Sequence, residues 1–506
     1  MKNVLYLTQS SCLNMFYELD KRLRKENNIK ASGFTISDSQ FYEAWKERTG
    51  FIESDFYIIK EWELTKSPFL SLDMETLVEI EKKYSKTDLV CGSYVSDRRL
   101  YMGKLCAYKQ DYKHRFKGEE LDWITYKAIT AMEKIFDDLK PELVIGFICV
   151  TFLDYIGHMI AKKRGIKYVN MRACRIRNRI HFGSSINDPS PELKREYITT
   201  NKLKDSDLED YRNYISSLEN INCKYEGVVS PSDKPVALRQ NDKKYSLKRI
   251  FKNLIKYHFT DIKRDNHTID PIIGYFMSYI YQPLNAKLLS LFYKRRYVLI
   301  EKVKKKKKIV FYALHTEPEV TILVYGRPFI NQIELIRIIA ISLPFDCCLI
   351  VKEHPCMIGK RSLNYYKKIV DIPNVYLASP ILSPKEIIKE SELVITNSGS
   401  AGFDGIIMKK PVITFGDCSY NILPDNMVRQ CMDIKKLHLL ITEIIQSYKY
   451  SQEDILRLIK AQFNTSIGIN LYSTLLGRRN AFKYELTDFN SEIDKLKTKI
   501  TSIMQD

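Results

Sequence analysis

The chain has 506 residues, 45% of them hydrophobic and 28% charged, which is too long for one ordinary core and too apolar for a disordered polymer. Its formal net charge of +19 points to polyanionic partners, either phosphate-bearing ligands or anionic lipid surfaces. The lysines are scattered, and no zinc-finger, RNP or helix-turn-helix signature appears, so nucleic acid is excluded as the expected partner.

Eleven cysteines occur without a CxxC pair, two of them adjacent at Cys347 and Cys348. That usage fits buried thiols in a reducing cytosol. The opening "MKNVLYLTQSSCLNMF" lacks the long apolar core of a signal peptide and reads as a strand, Val4 to Leu7, followed by a helix near Leu13 to Lys25. The region from Ile29 to Lys140 is mixed and aromatic-rich, with helical stretches such as "DWITYKAITAMEKIFDDL".

"LVIGFICVTFLDYIGHMIA" (Leu143 to Ala161) is roughly long enough to cross a bilayer. Asp154 and His158 inside it would be costly in lipid, so it reads instead as a strand, a helix and, with "KYVNM", a βαβ unit. Asp154 then follows a strand and is either a helix cap or a carboxylate facing a cleft. The next segment, "RACRIRNRIHFGSS", has no clean apolar face and reads as a loop or irregular edge. Arg172, Arg175 and Arg177 within it are candidates for holding an anionic acceptor, the alternative being a solvated loop.

From Ser190 to Glu301 the pattern turns helical and basic. "YSLKRIFKNLIKYHF" places Leu247, Ile250, Phe251, Leu254 and Ile255 on one face, with Lys248, Arg249, Lys252 and Lys256 on the other. Such a helix can lie on an anionic membrane surface or pack on its own protein with a solvated lysine face. "EKVKKKKK" (Glu301 to Lys308) marks a domain boundary. The expected division is 1–190, an N-terminal domain; 191–303, a basic helical insertion; 304–430, a second domain; and 431–506, C-terminal helices.

After the lysine run, short and continuously apolar strands alternate with helices: "IVFYAL", "CCLIVK", "NVYLAS", "LVITN" and "PVITFG" are the strands. This predicts a parallel, doubly wound sheet, whose ligands bind beyond the carboxyl ends of the strands. Those ends carry His315, Glu317 and Glu319; Lys352, Glu353 and His354; Ser398, Gly399 and Ser400; and Asp417, Ser419 and Tyr420. "NSGSAGFDG" turns from strand to helix on small residues, as a phosphate cradle does, or as a plain helix cap does. Lys352 and His354 are placed to hold a phosphate and offset charge on a leaving group. Glu353 is expected to orient His354 or pair with Lys352. Glu317 and Glu319 are candidates for the general acid or base, as is Asp154.

The ordered motifs "LHTEPEVTILVYG", "LIVKEHPCMIGKRSLNYYKKIVDIPNVYLASP" and "VITNSGSAGFDGIIMKKPVITFGDCSY" resemble the bacterial capsule polysaccharide synthesis family, which includes Kdo transferases that start capsule lipid anchors. The resemblance implies an α/β, GT-B-like enzyme: two Rossmann-like doubly wound domains facing a cleft, with a helical insertion and a helical C-terminus. It is similar also to the GT-B sialyltransferases, in which a His-Pro pair and a Ser/Thr-rich turn hold the CMP phosphate. Here His354-Pro355 and Ser398-Gly399-Ser400 match, and Lys352 and Asp404 join the nucleotide set. Where the family reads "GTAGFE", this chain has Ser400 and Asp404, the latter one methylene shorter than Glu.

The implied enzyme uses a nucleotide-activated sugar, CMP-Kdo or similar, with no metal and no cofactor. It acts on a glycan or lipid-linked acceptor, in the cytoplasm at the inner face of the membrane. The alternatives are a UDP-sugar 2-epimerase-like enzyme and a non-catalytic capsule assembly or export protein.

Overall fold

A computed structural model describes residues 1–174, 176–200, 205–220, 251, 254–255, 269–296, 300–380, 382–477 and 487–505. Two sheets organise the molecule. The first contains β1 (Lys2–Leu7), β2 (Ile29–Ile36), β3 (Tyr57–Lys60), β4 (Leu143–Gly146), β5 (Lys167–Ala173), β6 (Arg179–Gly183) and, from far along the chain, β13 (Ser466–Gly468). Their order is β13-β6-β5-β4-β1-β2-β3, parallel from β5 to β3 and antiparallel at β6 and β13.

The second sheet contains β7 (Lys308–Ala313), β8 (Cys347–Lys352), β9 (Val375–Leu377), β10 (Leu393–Thr396), β11 (Val412–Thr414) and β12 (Val428–Gln430), in the order β12-β11-β10-β7-β8-β9. Every pairing in it is parallel. Counted from β7, this is the Rossmann order, in which the winding reverses between the first and fourth strands, here β7 and β10. The first sheet reverses in the same way between β1 and β4. The molecule thus has the two Rossmann-like domains of a GT-B-like fold.

The apolar runs of the second sheet follow from burial on both faces. Phe311, Cys348, Ile350, Val394 and Val412 enter the core on one side. Val310, Tyr312, Leu349, Val351, Ile395 and Ile413 enter it on the other. Successive strand residues point to opposite faces, so each run supplies both layers.

Two readings of the sequence are corrected. The arginine-rich stretch after β5 is a β-hairpin: β6 returns antiparallel, with Arg172 opposite His181. Its turn places Arg177 and Asn178 at φ of 44° and 50°. The stretch 431–506 is not all helix, because β13 covers the β6 edge of the first sheet; β12, just before it, completes the second. The region from Ile29 to Lys140 supplies β2 and β3 as well as helices.

The chain ends on the first domain, where the helix Phe489–Gln505 buries Ile493, Leu496, Ile500 and Met504 in the β1–β2 core. The 143–161 stretch is β4 followed by the helix Phe152–Lys163. Among the described residues, no helix is long and apolar enough to cross a membrane.

The segment 314–330, which leaves β7, joins the two domains. Val324 packs in the core of the first domain. The Arg327 guanidinium lies 5.4 Å from the centroid of Tyr155. Tyr325 faces Arg172 at the end of β5. The carboxyl end of β7 therefore opens onto the seam between the domains.

Candidate functional site

His315 stands at the switch point of the second sheet. Its backbone N–H donates to Gln332 Oε1 at 2.7 Å, and its ring Nε2 accepts the Asn397 N–H at 3.1 Å, with the Thr396 hydroxyl at 3.2 Å. Burial, with His354 and Arg361 beside it, pushes its pKa down to about 3, so the ring is neutral. His315 therefore ties the end of β7 to the end of β10.

This packing requires Gly399, because a Cβ there would lie 2.4 Å from His315 Cε1. The Gly399 N–H donates to Thr396 Oγ1 at 3.2 Å, and its carbonyl accepts the Tyr420 hydroxyl. Ser398 is buried and donates to the Thr321 carbonyl. Gly399 is also the N-cap of the helix Ser400–Ile407. A glycine cap brings no side-chain acceptor to the first amides, and the helix dipole adds partial positive charge there. Ser400 is half-buried at that N-terminus.

His354 approaches from β8. It caps the short turn Pro355–Met357, and its Nδ1 accepts the Cys356 N–H at 3.2 Å, with the Thr316 hydroxyl at 3.1 Å. With Nδ1 accepting, the neutral ring carries its proton on Nε2, which is then the donor. Lys352 is 2% exposed, and its Nζ donates to the Glu353 carbonyl at 3.3 Å. Burial lowers its pKa to about 8, against the pull of Glu353 and Glu386. It is still mainly charged at neutral pH.

Glu353 neither orients the His354 ring nor pairs with Lys352. Its carboxylate accepts Arg361 Nη1 at 2.6 and 2.8 Å, the Tyr366 hydroxyl at 2.6 Å and the backbone N–H of His354 at 2.6 Å. Strand alternation explains this: Lys352 faces the Glu386 side of the sheet, and Glu353 faces the opposite side. Arg361 has no exposed surface, and its Nη2 donates to the His315 carbonyl at 2.6 Å and lies 3.2 Å from Glu317. One buried cation thus brackets the chain at both histidines. Arg361 closes the stretch "VKEHPCMIGKR", yet nothing in its spacing singled it out.

Glu317 is committed to structure. It accepts Gln110 Nε2 at 2.6 Å and the Tyr112 hydroxyl, both from the first domain, as well as Gln332 Nε2. Glu319 is half-buried and accepts the Thr321 hydroxyl at 3.1 Å. Of the two rim carboxylates, Glu319 is the one outside that network.

Among the described residues, the remaining expected ones do not join this cluster. Asp154 is fully buried at the switch point of the first sheet, where it accepts the Val150 and Thr151 N–H groups at 3.1 and 3.0 Å and the Gln9 amide. Its own N–H donates to Thr151 Oγ1 at 3.2 Å, so the pair is a reciprocal capping box. Burial, then Glu61, pushes its pKa up to about 7. Asp404 lies one turn into its helix with Lys385 Nζ 3.9 Å away, and burial raises its pKa to about 6.

Arg172 and Arg177 make separate contacts. Arg172 is buried and donates to the Ile186 and Asn187 carbonyls at 3.3 and 2.8 Å. Arg177 pairs with Asp210 and lies 5.0 Å from the Tyr214 centroid. Arg175 lies outside the described residues.

Sequence reading missed a buried charge cluster next to Asp154. Arg99 pairs there with Asp97 and with Glu61 at 2.5 Å, and burial pushes Glu61 up to about 7. These residues sit in the stretch between Ile29 and Lys140, whose mixed pattern carried no signal for them.

No curated protein matches the chain in sequence. Among solved structures, KpsC of Thermosulfurimonas dismutans, a beta Kdo 2,4 transferase, is similar at 12% identity and a TM-score of 0.35, over 65% of this chain and 82% of that one. The beta Kdo 2,7 transferase of the same KpsC aligns at 11% identity and a TM-score of 0.35, over 74% and 89%. The UDP-GlcNAc 2-epimerase of Methanocaldococcus jannaschii aligns at 14% identity and a TM-score of 0.24, over 89% and 93%. At these scores the likenesses add nothing to what the strand order establishes. Residues 235–424, which include β7 to β11 and both histidines, match the family model described as capsule polysaccharide biosynthesis protein.

Proposed function

We propose that the protein is a glycosyltransferase of surface-polysaccharide synthesis that takes its sugar from a nucleotide donor, CMP-Kdo or a similar acidic sugar. The observation that carries this is that His315 packs on Gly399, the cap of the helix Ser400–Ile407, with His354, its proton on Nε2, as its neighbour. Both the Nε2 donor and the helix N-terminus favour an anionic oxygen. The bond between the anomeric carbon and the nucleotide phosphate breaks, and its electron pair leaves on the phosphate. His354, Ser400 and the first amides of Ser400–Ile407 offset that charge, with Lys352 behind them. The acceptor hydroxyl forms the new bond, and its proton passes to a carboxylate, a role this reading gives to Glu319. The acceptor, a glycan or lipid-linked primer, is met from the first domain at an anionic membrane face.

The test is a thermal-shift panel with CMP, UDP, GDP and ADP on the wild type and on His354→Ala. A ligand at a hundredfold excess over its Kd stabilises by about 2.7 kcal/mol. A shift with CMP in the wild type alone supports the reading. A shift with UDP moves the donor class and calls for UDP-sugars to be run without acceptor, as an epimerase would use them. If none of the nucleotides binds, the site is not a donor site and an assembly or export role takes its place.

A further inference from the structure

The helical segment from Pro271 to Arg296 has two unlike faces. Its inner face is fastened to the protein. Gln282 donates to the Tyr108 carbonyl in the first domain, and Asn285 donates to the Gly359 and Arg361 carbonyls at 2.8 Å each. Leu289 enters the core of the second sheet. The outer face carries Ile272, Phe276, Ile280, Leu284, Leu288 and Leu291, each between 42% and 65% exposed. They recur every four or three residues over about 28 Å of helix. A continuous apolar stripe of this length on a protein surface marks an interaction site.

Charge identifies the occupant. Residues 271–296 contain no Asp or Glu but include Lys287, Lys294, Arg295 and Arg296. Residues 242–308 hold eighteen Lys and Arg against five Asp and Glu, a net +13 out of the chain's +19. A second copy of the chain would set like charge against like. An anionic bilayer takes both the apolar stripe and the basic flanks.

We propose that the outer face of Pro271–Arg296 docks flat on an anionic phospholipid bilayer. This gives a defined surface to the membrane contact proposed above and is independent of which nucleotide binds. The same helix holds Gly359 and Arg361 on its inner face, so docking would set the loop that begins at His354 close to the membrane.

The test is co-sedimentation of the full chain with vesicles of phosphatidylcholine alone and with added phosphatidylglycerol. The wild type is expected to bind the anionic vesicles, less so as salt rises. The variant Phe276→Ser/Leu284→Ser/Leu288→Ser is expected to bind about tenfold less or weaker, since it removes three side chains that would leave water. Circular dichroism and the nucleotide thermal shift report whether it keeps its fold; if it does not, the single variant Leu284→Asp is used. Equal binding by wild type and variant overturns the proposal. So does failure of the wild type to bind anionic vesicles, or self-association of the wild type that the variant abolishes.

Discussion

Replacing Arg361 with Met tests the buried bracket between the two histidines. The substitution keeps most of the volume and removes the cation from a site with no exposed surface. Glu353 would keep the Tyr366 hydroxyl and the His354 N–H but lose a two-bond partner at 2.6 and 2.8 Å. The His315 carbonyl would lose its 2.6 Å donor and keep Gln332 at 3.2 Å. Removing one partner of a buried ion pair costs about 3–5 kcal/mol, because the other charge stays behind. The double variant Arg361→Met/Glu353→Gln should recover part of that loss. Trp45, Trp62 and Trp123 are the only tryptophans, and all lie in the first domain. Urea unfolding followed by circular dichroism should therefore shift more than unfolding followed by tryptophan fluorescence. A change under about 1 kcal/mol in Arg361→Met, or no recovery in the double variant, would refute this account of the network.

Gly399→Ala puts a Cβ 2.4 Å from a His315 ring that the Asn397 amide holds in place, so it should cost about 1–3 kcal/mol and abolish the nucleotide-induced thermal shift. His158, facing Asp88 at 3.9 Å, Lys162 and the Tyr168 ring, has its pKa lowered to about 4 by burial, so the folded state stays neutral where the unfolded chain takes up a proton. Its stabilisation is complete above pH 6.5 and falls by about 1.4 kcal/mol per unit as pH drops towards 4; His158→Phe should flatten that limb of the urea-midpoint profile. Asp154 has the opposite slope: its pKa is raised to about 7, so stability falls as pH rises from about 4 to 7, and the difference profile against Asp154→Asn should show it. On the proposed function, nucleotide affinity should weaken as pH rises through about 8, where Lys352 loses its proton, and a titration of Lys352→Met should show lower affinity without that step.

The second domain was legible because a parallel sheet buried on both faces needs unbroken apolar strands, and "CCLIVK" and "LVITN" cannot be taken for anything else at that length. Of the first domain's strands, only β1, β4 and β5 were legible. Strand β2, "IKASGFTI", carries Lys30, Ser32, Gly33 and Thr35, too polar a run to read as buried. The hairpin of β5 and β6 was read as a loop because its arginines are taken up by contacts with distant parts of the chain. Arg179, for example, donates to Ser466 Oγ at 2.8 Å, and Arg172 to carbonyls of the 184–190 loop.

At the site, chain position determined which residues lie on the rim, since the end of a strand follows from its apolar run. His315, His354, Gly399 and Ser400 were found in that way. Partner choice was decided only by the tertiary structure. Glu353 has Lys352 and His354 as its chain neighbours, but the two-residue period of the strand turns Lys352 to the other face and leaves Glu353 opposite Arg361. Glu317 has His315 and Glu319 beside it in the chain, but the fold brings Gln110 and Tyr112 to it from two hundred residues away. Periodicity is a local property of the chain and survives in the sequence. Which buried charge meets which depends on where separate segments come to lie, and that exists only once the two sheets have packed.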